Sequence, residues 1–459
     1  MMTKKILIEV IPVSDEQDSF LQIKMSDIII KKFGLQKEQT IELYCNRNSL
    51  MVNIVSINES EPVIQCPTFI LKELQLPPEN FSITLFKKAN DKLEMGPVIG
   101  LLTEATEKNN QVSFGSIGEF CEEISLYASE IGVLFYVFTL NTFYDQKGYI
   151  FIDGIWKKSS VPYPHVVHNR IHSRKREQHS SFIDFTNELQ MNNIPYFNDH
   201  FLNKWEVHEM LYDNEHLHSY LPDTMLLTNK DVLFEMLEKY QCVFVKPVHG
   251  SQGRNIFRIQ KTDEDTYFLD YTTFSGDIET VHQSFPSLFQ SLFSRLKQHT
   301  FIVQQCIPLL SYKEKPLDFR VLCQKQASEK WQLTSIVARV SSKDEFVSNL
   351  ARGGEIQKVH SVLLENFEMK EIPHIKRLIR DLALEVAEII DGTADGLFAE
   401  LGIDLALDET GKPTIIEVNT KPSKNQEQDK LSNKIRPSAK ALLQHCVFLS
   451  NQHDQSKIG

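Results

Sequence analysis

The chain has no C-x-x-C pair: its seven cysteines, Cys45, Cys66, Cys121, Cys242, Cys306, Cys323 and Cys446, lie scattered. This excludes a disulfide framework or a cysteine zinc site and predicts buried, reduced thiols in a cytosolic (cytoplasmic) compartment. Long apolar runs are also missing. The longest, VLFYVFTL at 133–140, falls well short of the ~20 residues of a membrane span and reads as a buried strand. The opening MMTKKILIEVIPV turns polar at Ser14, Asp15 and Glu16, and so reads as a first β-strand and not a signal peptide. Positive charge is in deficit: the formal net charge of −12 argues against general nucleic-acid or membrane-surface binding. The local exception, RIHSRKR at 170–176, reads as a solvated face or loop. Two phosphate-binding strings, G-x-x-x-x-G-K-S/T and G-x-G-x-x-G, are absent.

What is present describes a soluble globular protein, 41% hydrophobic and 24% charged. A chain of 459 residues exceeds one ordinary core and predicts about three domains. Residues 1–95 are rich in short strand-like runs (IELYC, LMVNIVSI, FSITLF) and predict a small β-rich domain. Within them, 25–44 and 66–86 share a pattern: a helical turn, a corner at Leu-Gln or Leu-Pro, then an alternating strand. Two such halves would close a barrel or sandwich by pseudo-symmetry; chance likeness of two amphipathic stretches is the alternative. Residues 96–200 alternate strand and helix, which predicts an open, largely parallel α/β sheet. Residues 201–450 carry the chemistry, with helices expected at 205–212, 230–240, 280–299 and 372–391 and after Asn433.

Four features of that last region act as a set. In VFVKPVHGSQGRNIFRI (243–259) a strand ends at Lys246, and a turn with Gly250, Ser251 and Gly253 leads into another strand. Such a turn lets backbone N–H groups face phosphate oxygens beside a fixed cation; by itself it is equally a tight hairpin. In ELGIDLALDETGKPTIIEVNTKP (400–422) two apolar strands flank a polar turn, placing Asp404 on one strand and Glu417 and Asn419 on one face of the other. Oxygen ligands without His or Cys suit Mg²⁺ bridging to nucleotide phosphates. Solvated edge carboxylates fit poorly between apolar Ile403, Leu405, Ile416 and Val418. Arg320 in D-F-R and Arg339 in SIVARV are suited to clamp a transferring phosphoryl group or acyl phosphate, although either alone reads as an ion-pair partner. Asn349, with Gly353 and Gly354, offers a second close backbone approach. Finally, FIVQQCIPLL (301–310) is a buried strand running into a Pro-marked connector, where Gln304, Gln305 and the backbone through Ile307 would meet an adenine edge.

Taken in order, Lys204 in NKWEVHEML, the Lys246-Pro247 strand with its Gly-Ser-x-Gly loop, the D-F-R strand, R…N-L-x-x-G-G and the I-D…I-E-V-N-x-x-P hairpin resemble the ATP-grasp superfamily over about 200–425. More narrowly, G-P-V-I-G-L-L-T, H-N-R-I, N-K-W-E-V-H and E-V-N-x-K-P resemble the YheC/YheD-type proteins associated with the endospore coat. The resemblance implies an ATP-grasp fold of two lobes, preceded by an α/β pre-ATP-grasp domain and the β-rich N-terminal domain. It further implies that Lys204 and Lys246 hold the α- and β-phosphates under Gly250–Gly253, that Asp404, Glu417 and Asn419 bind Mg²⁺, and that Arg320 and Arg339 face an acyl phosphate. The activity implied is an ADP-forming ligase joining a carboxylate to an amine, on a peptide or coat protein. An ATP-dependent phosphotransferase and a non-catalytic nucleotide-binding coat assembly protein stay open beside it. Two positions depart from the pattern: Ser423 stands where many relatives have glycine, and glutamines stand at the hinge where many place a carboxylate.

His165, His168, His172 and His179 follow no ligand spacing on one helix face. The stripe Phe285, Leu288, Phe289, Leu292 and Phe293 has helical spacing and reads as core or lobe interface.

Overall fold

A computed structural model describes residues 4–15, 21–88, 91–109, 111–250, 255–262, 264–273, 276–297, 299–341, 354–424 and 435–456. The N-terminal strands β1 (Lys5–Val13), β2 (Gln22–Ser26), β3 (Thr40–Cys45), β4 (Asn48–Ile57), β5 (Val63–Pro67), β6 (Phe81–Lys87) and β7 (Lys92–Gly96) close a barrel in the order β1-β5-β2-β4-β3-β7-β6. Each echoing segment folds alike: β2, helix α1 (Asp27–Phe33) and β3 in the first, β5, α2 (Thr68–Glu73) and β6 in the second. The halves interlock, because β1 pairs in parallel with β5 and β4 in parallel with β2. The echo is therefore structural, and closure leaves no free sheet edge.

The second unit has the sheet order β13-β12-β11-β8-β14-β15. Its strands are β8 (Val98–Leu102), β11 (Leu134–Phe138), β12 (Lys147–Ile152), β13 (Ile155–Ser160), β14 (Val166–Asn169) and β15 (Tyr196–Phe197), and a small hairpin of β9 (Thr106–Lys108) and β10 (Gln111–Ser113) stands beside it. The β11-β8-β14-β15 core is parallel, whereas β12 and β13 are antiparallel. Helix α3 (Gly118–Ile131) buries Phe120, Ile124 and Ala128 and ends at Gly132, φ 71°. A Cβ at Gly132 would sit 2.5 Å from both Thr84 Oγ1 and Leu7 Cδ1, so glycine permits both the left-handed turn and the barrel's close approach. Helices α4 (Leu140–Tyr144), α5 (Arg174–Glu177) and α6 (Ser180–Met191) complete the unit.

The remaining chain builds two antiparallel sheets. After α7 (Lys204–Tyr212), the first uses β16 (Thr224–Leu226), β17 (Cys242–Pro247), β18 (Phe257–Lys261), β19 (Tyr267–Thr273), β20 (Gly276–His282) and β21 (Phe301–Gln305), ordered β16-β21-β17-β18-β19-β20. It is backed by α8 (Lys230–Tyr240) and α9 (Phe285–Leu296). The helix expected at 280–299 thus begins later, because β20 extends the hairpin from β19 through His282. The second sheet runs β25-β24-β23-β26-β27: β23 (Lys315–Lys325), β24 (Trp331–Val340), β25 (Glu355–Gln357), β26 (Glu400–Leu407) and β27 (Pro413–Asn419), with the short β22 (Ser311–Tyr312) on β23. Beneath it lie α10 (Val359–Asn366) and α11 (Ile372–Thr393). α11 buries Ile372, Ile375, Ile379, Leu382, Val386 and Ile390, a stripe at helical spacing in which each large side chain contributes roughly 1.5–3 kcal/mol. The last helix, α12 (Pro437–Ser456), packs back on the second unit, with Leu442, Leu443 and Cys446 in one core with Phe120 and Ile124 of α3.

Candidate active site

Strand register assembles one polar row on the second antiparallel sheet. Asp404 on β26 stands opposite Glu417 on β27, with Asn419 opposite Gly402. On the other side of β26, Arg320 of β23 is in register with Asp404, and Asp318 with Arg339 of β24. Arg320 clamps the Asp404 carboxylate through Nε and, at 2.9 Å, Nη2. Arg339 donates from Nε and Nη2 to the two Asp318 oxygens at 2.6 Å each, and its Nη2 lies 3.0 Å from Asp404. Burial would raise the Asp404 carboxyl, but the two guanidiniums outweigh it and hold its pKa below the ordinary value. A Cβ on Gly402 would lie 2.6 Å from Pro422 Cβ, so this glycine makes room for the close approach of Pro422 to β26.

The facing wall carries two lysines. Lys204 opens α7, whose start is fixed by a capping box between Asn203 and Glu206 and by its own N–H donating to Val248 O at 3.2 Å. Its Nζ donates to Glu417 Oε1 at 2.5 Å and to Gly250 O at 3.2 Å. Lys246, on β17, donates to Gln304 Oε1 at 2.6 Å, and Gln304 Nε2 donates to Thr224 Oγ1 at 3.0 Å. Burial pushes the Lys246 amine down to about 8. Between the walls is a cleft of about 470 Å³, lined by Lys204, Lys246, Thr224, Gln304, Glu417 and apolar Val207, Leu211, Ile302, Ile415 and Val418.

Lys204, Lys246, Gln304 and Glu417 therefore share one cleft, with Asp404, Arg320 and Arg339 in the row that continues from Glu417. Gln305 turns aside: its side chain accepts the Asp223 N–H at 3.3 Å. Ile307 is half-buried beyond β21 and is not among the cleft-lining residues. Ser251, Gly253 and Asn349 lie outside the described residues. Asp318 and Thr224 had no role assigned from sequence; the D-F-R string held the signal for Asp318, since side chains two apart on a strand share a face. The reading of 170–176 as a solvated segment fails at Arg170, which is fully buried, with Nη1 3.1 Å from Glu400 Oε2 and Nη2 2.9 Å from Pro422 O. The histidines are dispersed: His165 contacts Glu94 at 3.3 Å, His168 stacks on Phe197, and His179 caps α6. Among the described residues no three of His, Cys, Asp and Glu cluster as a metal site; the candidate set pairs two carboxylates with an amide.

A cleft between two antiparallel sheets, with an α/β unit before it, is the ATP-grasp architecture. Residues 193–449, more than half of the chain, match the family described as YheC/D like ATP-grasp, and the chain belongs to that family. It is 28% identical over 345 residues to the endospore coat-associated protein YheD of Bacillus subtilis, covering 72% of this chain and 74% of YheD. Similarity to endospore coat-associated protein YheC of the same organism is 23% over 262 residues, 56% of this chain and 69% of YheC. A glutathione synthetase of Buchnera aphidicola is 25% identical over 146 residues, 32% of this chain and 36% of that enzyme. No helix among the described residues is long and apolar enough to cross a membrane.

Proposed function

We propose that this protein is an ATP- and Mg²⁺-dependent ligase that activates a carboxylate as an acyl phosphate and joins it to an amine, releasing ADP. The observation that carries the reading is the facing of Lys204 and Lys246 with Glu417 across one cleft, where Lys204 Nζ rests 2.5 Å from Glu417 Oε1. In that arrangement a cation suited to phosphate and a carboxylate suited to a metal neutralise each other, and on loading each exchanges its partner for a ligand of the same charge. The apolar walls Val207, Ile302 and Ile415 suit a nucleobase, with Gln304 and Thr224 supplying polar groups at its edge.

The donor set fits Mg²⁺. Asp404 and Glu417 are cross-strand partners, Asn419 lies two positions along the same face, and all present oxygen. These three residues would hold the ion, which when bound neutralises phosphate charge at the reacting end of the nucleotide. Arg339 acts from behind, since its guanidinium is taken up by Asp318 and Asp404; it fixes the row rather than touching substrate. Arg320, half-buried beside Asp404, stands on the strand next to β26, one strand closer to Glu417 than Arg339, and would face the acyl phosphate. Sequence similarity to a glutathione synthetase supports a ligase over a phosphotransferase. The likeness to coat-associated YheD and YheC supports a peptide or protein of the endospore coat as substrate.

The test is an ADP-release screen of the purified protein with ATP and Mg²⁺ against amino acids, short peptides and coat extracts, with hydroxylamine as trap. A hydroxamate formed with the productive carboxylate, and lost in Arg320→Ala, is expected. A stable product carrying the γ-phosphate on a hydroxyl, without hydroxamate, sinks the ligase in favour of the phosphotransferase.

A further inference from the structure

A path of polar groups crosses the cleft. Thr224, Gln304 and Lys246 are joined by hydrogen bonds, Lys204 lines the same cleft, and Lys204 in turn contacts Glu417 and, at 3.2 Å, the carbonyl of Gly250. The residue before it, His249, brings in a group from another unit: Arg174 Nη1 lies 3.4 Å from His249 Nδ1. Arg174 belongs to the basic run at 170–176. Its Nη2 donates to Leu202 O at 3.2 Å, and its guanidinium lies 5.1 Å from the centre of the Phe201 ring.

All these partners are neutral. Among the described residues no carboxylate forms a salt bridge with Arg174, whereas neighbouring cations do: Arg170 with Glu400, Arg176 with Glu104, Lys421 with Glu177, Lys204 with Glu417, Arg320 with Asp404. Holding a half-buried guanidinium on neutral acceptors alone is unfavourable unless an anion arrives. The charge of Glu417 is the first of the carboxylate fields that reach Arg174, acting against the larger cost of burial. Glu417 is also where the proposed metal would meet the phosphates. The base end of the path is Thr224 and Gln304, so Arg174 stands at its terminal-phosphate end.

We propose that Arg174 is a nucleotide-binding residue that engages the terminal, transferable phosphate of ATP, so that the protein tells ATP from ADP through a residue of the 98–197 unit. Its planar fork suits two phosphate oxygens, which an ammonium does not reproduce. This rests on the nucleotide reading above.

The experiment measures binding of ADP and of the β,γ-imido analogue of ATP, each with Mg²⁺, by calorimetry on the full chain and on Arg174→Ala and Arg174→Lys. Arg174→Ala should weaken the analogue by about tenfold or more, the value of one charge-assisted bond, and ADP by less than about twofold. Arg174→Lys should fall between. Equal weakening of both ligands, or of neither, overturns the assignment, because a merely structural role cannot sense one phosphate. Thermal unfolding of each variant verifies that it is folded. If the unsubstituted protein binds neither nucleotide, it is the reading of the cleft that fails.

Discussion

Lys246 donates to Gln304 at 2.6 Å and has no salt bridge among the described residues, and its burial lowers its pKa from 10.5 to about 8. At ~1.4 kcal/mol per tenfold, that drop corresponds to roughly 3 kcal/mol by which the fold penalises the charged amine. Lys246→Met keeps the length and removes the charge. It leaves Gln304 Oε1 without its donor, a loss of about 1 kcal/mol, so at about pH 7 the variant should be more stable than the parent by roughly 2 kcal/mol. The pH dependence follows from linkage. Below about 8 the amine is protonated folded and unfolded, and the full penalty applies. Between about 8 and 10.5 the unfolded chain holds the proton and the folded one does not, so the parent gains stability as pH rises. The gap between the two proteins should therefore close across that window; Lys421, also lowered to about 8, is common to both and cancels. Urea unfolding at about pH 7 and about pH 10 measures the gap. ATP affinity should meanwhile fall about tenfold to a hundredfold. A variant less stable than its parent near neutrality, or a gap that does not change with pH, would refute the reasoning, whatever happens to binding.

Arg339→Met takes both guanidinium bonds from buried Asp318 and one of the two arginines from Asp404, which keeps Arg320, and should cost about 3–5 kcal/mol in urea unfolding; a loss below about 1 kcal/mol would show that the row is solvated. Glu417→Gln keeps shape but removes an anionic oxygen ligand, so Mg²⁺ titrated in the presence of ADP should bind about tenfold more weakly with only a small change in melting temperature. An unaltered Mg²⁺ response would make the β26–β27 hairpin purely structural.

Local pattern carried much of this molecule. The stripe from Ile372 to Ile390 on α11, the Asn203–Glu206 box that starts α7, and the alternation that puts Asp404 and Glu417 on one face are short-range signals, and a periodicity is readable without knowing what it packs against. So is the repeated strand–helix–strand text of the barrel. The helix boundary at 285 was not legible, because the residues of β20 become a strand only by pairing with β19.

What the sequence by itself determined is thus the kind of the strongly patterned elements and the chemical character of the cleft: lysines on one side, carboxylates and arginines on a hairpin and its neighbours. Tertiary structure alone decided the partners. Lys204 meets Glu417 across 213 positions and Arg170 meets Glu400 across 230; α12 docks on α3, and Arg174 reaches His249. Arg170 and Arg174 sit four apart in one basic run, yet one is buried against a carboxylate and the other is held on the neutral groups of His249 and Leu202. Composition cannot separate them, because the free energy of a charge depends on desolvation and on which opposite charge the fold brings within a few ångströms.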